Sequence, residues 1–146
     1  MMTETGTSFG TFSSVEEGGR TRISSGGRWE GVVGYSRAVR AGPHVWVAGS
    51  TATGEDGSVL FPGDAYGQTR ITLLKIQAAL AHAGARMEDV VRTRMFVTDI
   101  LRWEEFGRAH GEFFANVRPA ATMVEVRALI DPAMLVEIEV DAYVVP

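Results

Sequence analysis

Hydrophobic positions along this chain recur at two periods, and the switches between them mark out the elements. Two alternating runs, Ala120 to Ala128 and Leu135 to Val144, flank a loop at Asp131-Pro132 and predict two strands. In the second run Val136, Ile138, Val140 and Ala142 share one face, and Glu137, Glu139 and Asp141 the other, because strand side chains alternate. The first run divides into Ala120, Thr122, Val124 and Val126 against Ala121, Met123, Glu125 and Arg127, an oily side and a charged one. Val90 to Thr98 alternates as well, with Val91, Thr93, Met95 and Val97 opposite Arg92, Arg94, Phe96 and Thr98. Nearer the start, Arg20 to Ser24 predicts a short strand, and Ser36 to Arg40 with His44 to Ala48 predicts a hairpin about Ala41-Gly42-Pro43.

Between these runs the period lengthens. Asp64 is placed to cap a helix reaching Ala83, with Gly84 as its stop and Thr69, Leu73, Ile76, Leu80 and Ala83 as its apolar stripe. A second helix is predicted from Leu101 to Asn116, with Asp99 available as cap and Trp103, Phe106, His110 and Phe113 near one side. Gly107 and Gly111 lie one turn apart inside it, which fits either a close backbone approach or simple tolerance. The resulting order is an α+β domain of six strands with both helices on one sheet face, the second helix crossing over between parallel strands. Its other face would then carry Arg92, Arg94, Glu125, Arg127, Glu137, Glu139 and Asp141, as a solvated surface or a subunit interface.

Composition narrows the partners. Residues 1–19, rich in Gly, Ser, Thr and Glu, read as a flexible N-terminal extension to a single domain over 20–146, with Phe9 and Phe12 as possible anchors. A net charge of −4, without a basic block, argues against nucleic acid or an anionic membrane and favours small molecules or proteins. There is no cysteine, which excludes disulfides, thiolate metal sites and a cysteine nucleophile. With neither a signal-like start nor a long apolar run, the chain reads as soluble and cytoplasmic. Motifs for serine hydrolases, P-loops, dinucleotide folds and zinc proteases are absent, and His44, His82 and His110 do not cluster. Glu137 and Glu139 have the spacing of one strand face, for pairing with arginines or for acid–base work.

An ordered set of segments carries the argument further: Gly34-Tyr35-Ser36-Arg37-Ala38-Val39, Val45-Trp46-Val47-Ala48-Gly49, Gln68-Thr69, Asp89-Val90-Val91-Arg92-Thr93, Phe96-Val97-Thr98-Asp99, Phe113-Phe114, Arg118-Pro119-Ala120, and Val124-Glu125-Val126 through Val136-Glu137-Ile138-Glu139. In that order they resemble the RidA (YjgF) family. The resemblance implies a chorismate-mutase-like fold and a homotrimer with ligand pockets between subunits. It also implies cofactor-free hydrolysis of reactive enamines and imines such as 2-aminoacrylate. It places Tyr35 in the pocket and Glu137 at the water. Gly49 and Ser50 would line it where the family carries a turn followed by glutamine, and Gly107 where it carries asparagine. The implied fold sets the strand of Arg94 beside the last strand, so that Arg94 comes near Glu137 or Glu139, and Arg94, Phe96 and Met123 are the further candidates for ligand contact. The family's carboxylate-binding arginine corresponds to Ala121, so a divergent branch is expected, with weak or no activity on 2-aminoacrylate. Two functions follow from this pattern: a deaminase of other specificity, or a non-catalytic trimer that binds a metabolite or partner.

Overall fold

A computed structural model describes residues 9–146. Seven strands form one sheet: β1 (Ser13–Glu17), β2 (Arg20–Ser24), β3 (Ala38–Ala41), β4 (His44–Thr51), β5 (Val90–Val97), β6 (Ala120–Glu125) and β7 (Val136–Tyr143), in the order β1-β2-β3-β4-β7-β5-β6. The helices are α1 (Ala65–His82) and α2 (Trp103–Phe114). The α+β class and the two helices agree with the sequence reading, whereas the sheet has seven strands rather than six. The extra strand is β1, which pairs antiparallel with β2 inside the segment read as a flexible extension; residues 1–8 of that extension lie outside the described residues. All five residues of β1 are exposed, so no apolar alternation announced it.

Helix α1 starts where a side chain can satisfy its free N–H groups: Asp64 Oδ1 accepts from Gly67 N at 2.8 Å. It stops at Gly84, whose φ of +77° suits glycine, and Arg40 Nη1 donates to the terminal carbonyls of Ala83 and Gly84. Its predicted stripe, Thr69 through Ala83, is buried against Val45, Val47, Val136, Ile138 and Val140. Gln68 is also fully buried. Its Nε2 donates to Phe61 O and Ala133 O while its Oε1 accepts from Leu135 N, so one amide ties two loops to the helix. The anchors suspected in the N-terminal segment meet the outer side of α1: Phe9 is buried with Ala52, Ile71 and Ala78, and Phe12 stacks on His82 at 4.1 Å.

Helix α2 is preceded by a 3-10 turn at Ile100–Arg102, in which Asp99 accepts from Leu101 N. The buried residues of α2 are Phe106, Ala109 and Phe114, and Trp103, at the first position of the helix, is 56% exposed, contrary to its predicted place on the packed side. Neither glycine of α2 marks a close approach within the chain, because a Cβ at Gly111 would meet nothing within 4 Å and one at Gly107 only the Trp103 ring at 3.9 Å. Strands β5 and β6 are parallel, as the crossover requires, and β5 separates β6 from β7. The register Met95 to Met123 sets the faces of β6. Ala121, Met123 and Glu125 lie toward the helices, and Thr122 and Val124 lie on the open face with Arg94 and Phe96, the reverse of the division expected from the oily and charged sides. Met123 packs on the core and Glu125 accepts from Ile100 N.

Candidate functional site

The open face is organised around an irregularity in β4. Val47 pairs with Val140 and Ser50 with Ile138, so Ala48 and Gly49 together span the one position opposite Glu139. Such a bulge re-aims the side chains beyond it. Ser50 turns into the interior, 2% exposed, with its Oγ donating to Ala48 O at 2.9 Å. On the outer side Thr51 comes opposite Glu137, whose carboxylate lies directly over Gly49, where any Cβ would overlap it. Gly49 is therefore the seat of Glu137. Burial pushes the Glu137 carboxyl above the usual range and outweighs the attraction of Arg37, while Glu139 adds to the rise.

Arg37 enters this site from the strand side of a π-helical turn, Glu30–Gly34, that ends at Tyr35. Its backbone is held by both neighbours, with N donating to Ile23 O at 2.8 Å and O accepting from Ala48 N at 3.0 Å. Its guanidinium lies 5.7 Å from the Tyr35 ring, and Nη2 donates to Gly49 O at 2.7 Å. The Nε is buried with no hydrogen-bond partner, and no carboxylate of the described residues forms an ion pair with this side chain. Burial lowers the pKa of Arg37 against the pull of Tyr35, Glu30 and Glu137. Glu30 cannot answer the charge at close range, since its Oε2 already accepts from Ser25 N, Ser25 Oγ and Gly27 N. A second cation stands nearby. Lys75 reaches out of α1 so that Nζ donates to Thr51 O, Thr53 O and Thr53 Oγ1, and burial, helped by Arg37, pulls its ammonium down to about 7.

Of the residues expected from sequence, Tyr35, Gly49 and Glu137 meet here, and Phe96 is the register neighbour of Glu137 on β5. Arg94 lies further along the face, with Nη1 3.4 Å from both Glu139 and Asp141, so it answers two of the three carboxylates but not Glu137. It is the register neighbour of Thr122, and Ala121 faces the other side of the sheet, so Arg94 does not replace the family arginine in place. Ser50 is turned inward, and Gly107, Ala121 and Met123 belong to a different locality. There Ala121 pairs with Thr93, whose Oγ1 is 2.9 Å from His110 Nε2, beside a cleft lined by His110, Gly111, Phe114, Arg118 and Pro119. Burial lowers the pKa of His110. The chain thus carries two half-sites, one over the β4 bulge and one at the C-terminal end of α2, where Arg118 is the charged residue of the lining.

Arg37 and Lys75 escaped notice as site residues. The first was visible only as part of a family segment, and the second reads in sequence as an ordinary helix lysine. Among the described residues, no three His, Cys, Asp or Glu side chains come together as a metal site, and no helix is long and apolar enough to cross a membrane.

The family model described as endoribonuclease L-PSP matches residues 27–144. The chain belongs to the RidA (YjgF) family. A crystal structure of a YjgF/YER057c/UK114-family protein from Mycobacterium tuberculosis is 54% identical, with a TM-score of 0.78 over 86% of this chain and 99% of that one. An uncharacterized protein of Streptomyces coelicolor is 42% identical over 84% of this chain and 90% of its own length. The 3-aminoacrylate deaminase RutC of Acinetobacter baylyi is 34% identical over 75% of this chain and 86% of its own. Membership accounts for the chorismate-mutase-like arrangement of this RidA-family chain and for the order of its sequence segments.

Proposed function

We propose that this RidA-family chain hydrolyses reactive enamines or imines to a carbonyl compound and ammonia, in pockets completed between copies of a homotrimer. The observation that carries the reading is Glu137, a carboxyl held in a half-buried seat over Gly49, whose pKa burial raises, as suits a group that takes up and returns a proton. An enamine first tautomerises to the imine. As water attacks the imine carbon, Glu137 takes one proton from it and the C=N electron pair moves to nitrogen. Return of that proton to nitrogen gives the carbinolamine; Glu137 then passes the carbinolamine's hydroxyl proton to nitrogen as the C–N bond breaks, leaving C=O and NH3, so the sum is imine plus water to carbonyl plus ammonia. The similarity to a relative named 3-aminoacrylate deaminase supports this class of chemistry. The two separated half-sites support completion by a second copy, which would bring the Ala121–His110 locality of one chain over the Glu137 locality of another. The family model's description as an endoribonuclease finds no support in a net charge of −4 and a row of three carboxylates on the open face.

Ala121, without a charge for a substrate carboxylate, favours a second reading, a trimer that binds a metabolite without turning it over. Ammonia release from imines generated in situ by an amino-acid oxidase separates the two. Turnover that Glu137→Gln abolishes is the expected result, and wild-type protein inert toward every imine in the range would leave the binding reading. Sedimentation equilibrium at micromolar concentration should give three times the chain mass, and a monomer would overturn the intersubunit pocket.

A further inference from the structure

The half-site over the β4 bulge contains more positive charge than its protein partners use. Arg37 presents a five-donor fork, of which the chain engages Nη2 through Gly49 O and leaves Nε buried and unpaired. A buried polar group without a partner within the chain is costly, and a buried guanidinium more so. The protein's own carboxylates do not close it. Glu30 is bound to the Ser25–Gly27 backbone, Glu137 is seated on Gly49 without forming an ion pair, and Lys75 adds like charge from the α1 side. A planar anion that accepts two parallel N–H bonds is the chemical complement of such a fork.

We infer that Arg37 is the anion-holding residue of this chain's pocket: it binds the carboxylate of a small 2-imino or 2-oxo acid beside Glu137, the task for which position 121 carries no charge. The assignment rests on the hydrolase reading for its reacting carbon but not for its binding. Tyr35 lies beside the same guanidinium, its ring 5.7 Å away.

The test compares matched probes with and without a carboxylate. Imines made by an amino-acid oxidase carry one, and imines made by an amine oxidase from primary amines do not. Arg37→Gln should lower kcat/KM for the first set by about 10- to 100-fold more than for the second, the value of a charge-assisted contact over any loss the two sets share. An equal effect on both sets would overturn the assignment. Should the wild type release no ammonia at all, the hydrolase reading fails alone, and binding still decides the role of Arg37. Calorimetry should then show 2-oxobutyrate binding and 2-butanone not, with Arg37→Gln losing the former. Because that variant also loses the bond to Gly49 O, the wild type supplies an independent measurement: in arginine-labelled protein the Arg37 Nε–H resonance should shift saturably with 2-oxobutyrate and stay fixed with 2-butanone. Failure of the wild type to bind 2-oxobutyrate, or binding without movement of that resonance, would overturn the proposal.

Discussion

Replacing Lys75 by methionine keeps the length of the side chain but removes its ammonium, and so measures what that charge does to stability. In the folded chain burial and Arg37 hold the group at about 7, against 10.5 for an unhindered lysine. The three oxygens around Nζ suit either state: a charged group donates three bonds, and a neutral amine donates two to the carbonyls of Thr51 and Thr53 and accepts one from the Thr53 hydroxyl. The sign follows from proton counting. Below pH 7 native and unfolded chains both bind the proton, and the native state bears the whole cost of burying it. Between pH 7 and 10.5 the unfolded chain keeps the proton that the native chain has released, so stability rises with pH across that window. The full displacement of about 3.5 pKa units corresponds to roughly 5 kcal/mol, of which roughly 2–3 kcal/mol falls between pH 6 and 9. Urea denaturation of wild type and Lys75→Met at pH 6, 7, 8 and 9, at one protein concentration, should show the wild type gaining that amount over the variant. The variant should be the less stable at pH 9, where it has lost the donors to two carbonyls. Parallel stability curves, with a constant difference over the whole range, would refute a depressed lysine.

Gly49→Ala should displace the Glu137 carboxylate and cost about 1–3 kcal/mol by overpacking, with ammonia release falling as far as in Glu137→Gln; full activity in the alanine variant would sink the idea that Gly49 seats the carboxyl. Gln68→Leu removes the partners of Phe61 O, Ala133 O and Leu135 N and should cost about 3–5 kcal/mol in urea denaturation, whereas a loss below about 1 kcal/mol would show that water replaces the amide. Arg94→Ala reads out what covers the open face: half-exposed pairs such as those with Glu139 and Asp141 contribute about 0–1 kcal/mol within one chain, but about 3–5 kcal/mol where a second copy seals them. The proposed trimer predicts the higher figure, and unchanged stability would argue against a covered face.

What the sequence made legible was whatever a strong period or a cap dictates. The α1 stripe, its Asp64 and Gly84 ends, the alternation of β7 and that of β5 from Thr93 onward stand where they were placed, whereas Val91, read with the packed face, is exposed where the β5–β7 register shifts. The misses share a physical cause, weak or contradictory patterning. The residues of β1, SSVEE, are all exposed and owe their place to backbone pairing with β2. Strand β6 lies at the sheet edge with mixed residues on both sides, and the packing of Met123 on the core decides a parity that its larger oily set would have assigned the other way. Trp103 is exposed because it stands at the first residue of α2, a position in the element that periodicity does not register. Of the site, Tyr35, Gly49 and Glu137 were available through family resemblance. Arg37 and Lys75 become site residues through burial, and a bulge that inserts one residue into β4 brings Gly49 under Glu137 without any signature in composition.

Strand β7 follows the other six in the chain yet lies between β4 and β5. Until it inserts, no strand pairing connects the β1–β4 hairpins to the β5–α2–β6 unit, and only the helices can hold the two halves together. On a ribosome adding about 5–20 residues per second, the nascent chain therefore waits with the inner edges of β4 and β5 both unsatisfied until residues 136–143 have cleared the exit tunnel. Chaperone capture and misassembly between neighbouring nascent chains would be concentrated in that interval, and slow codons placed before β7 would lengthen it, whereas slow codons elsewhere would not.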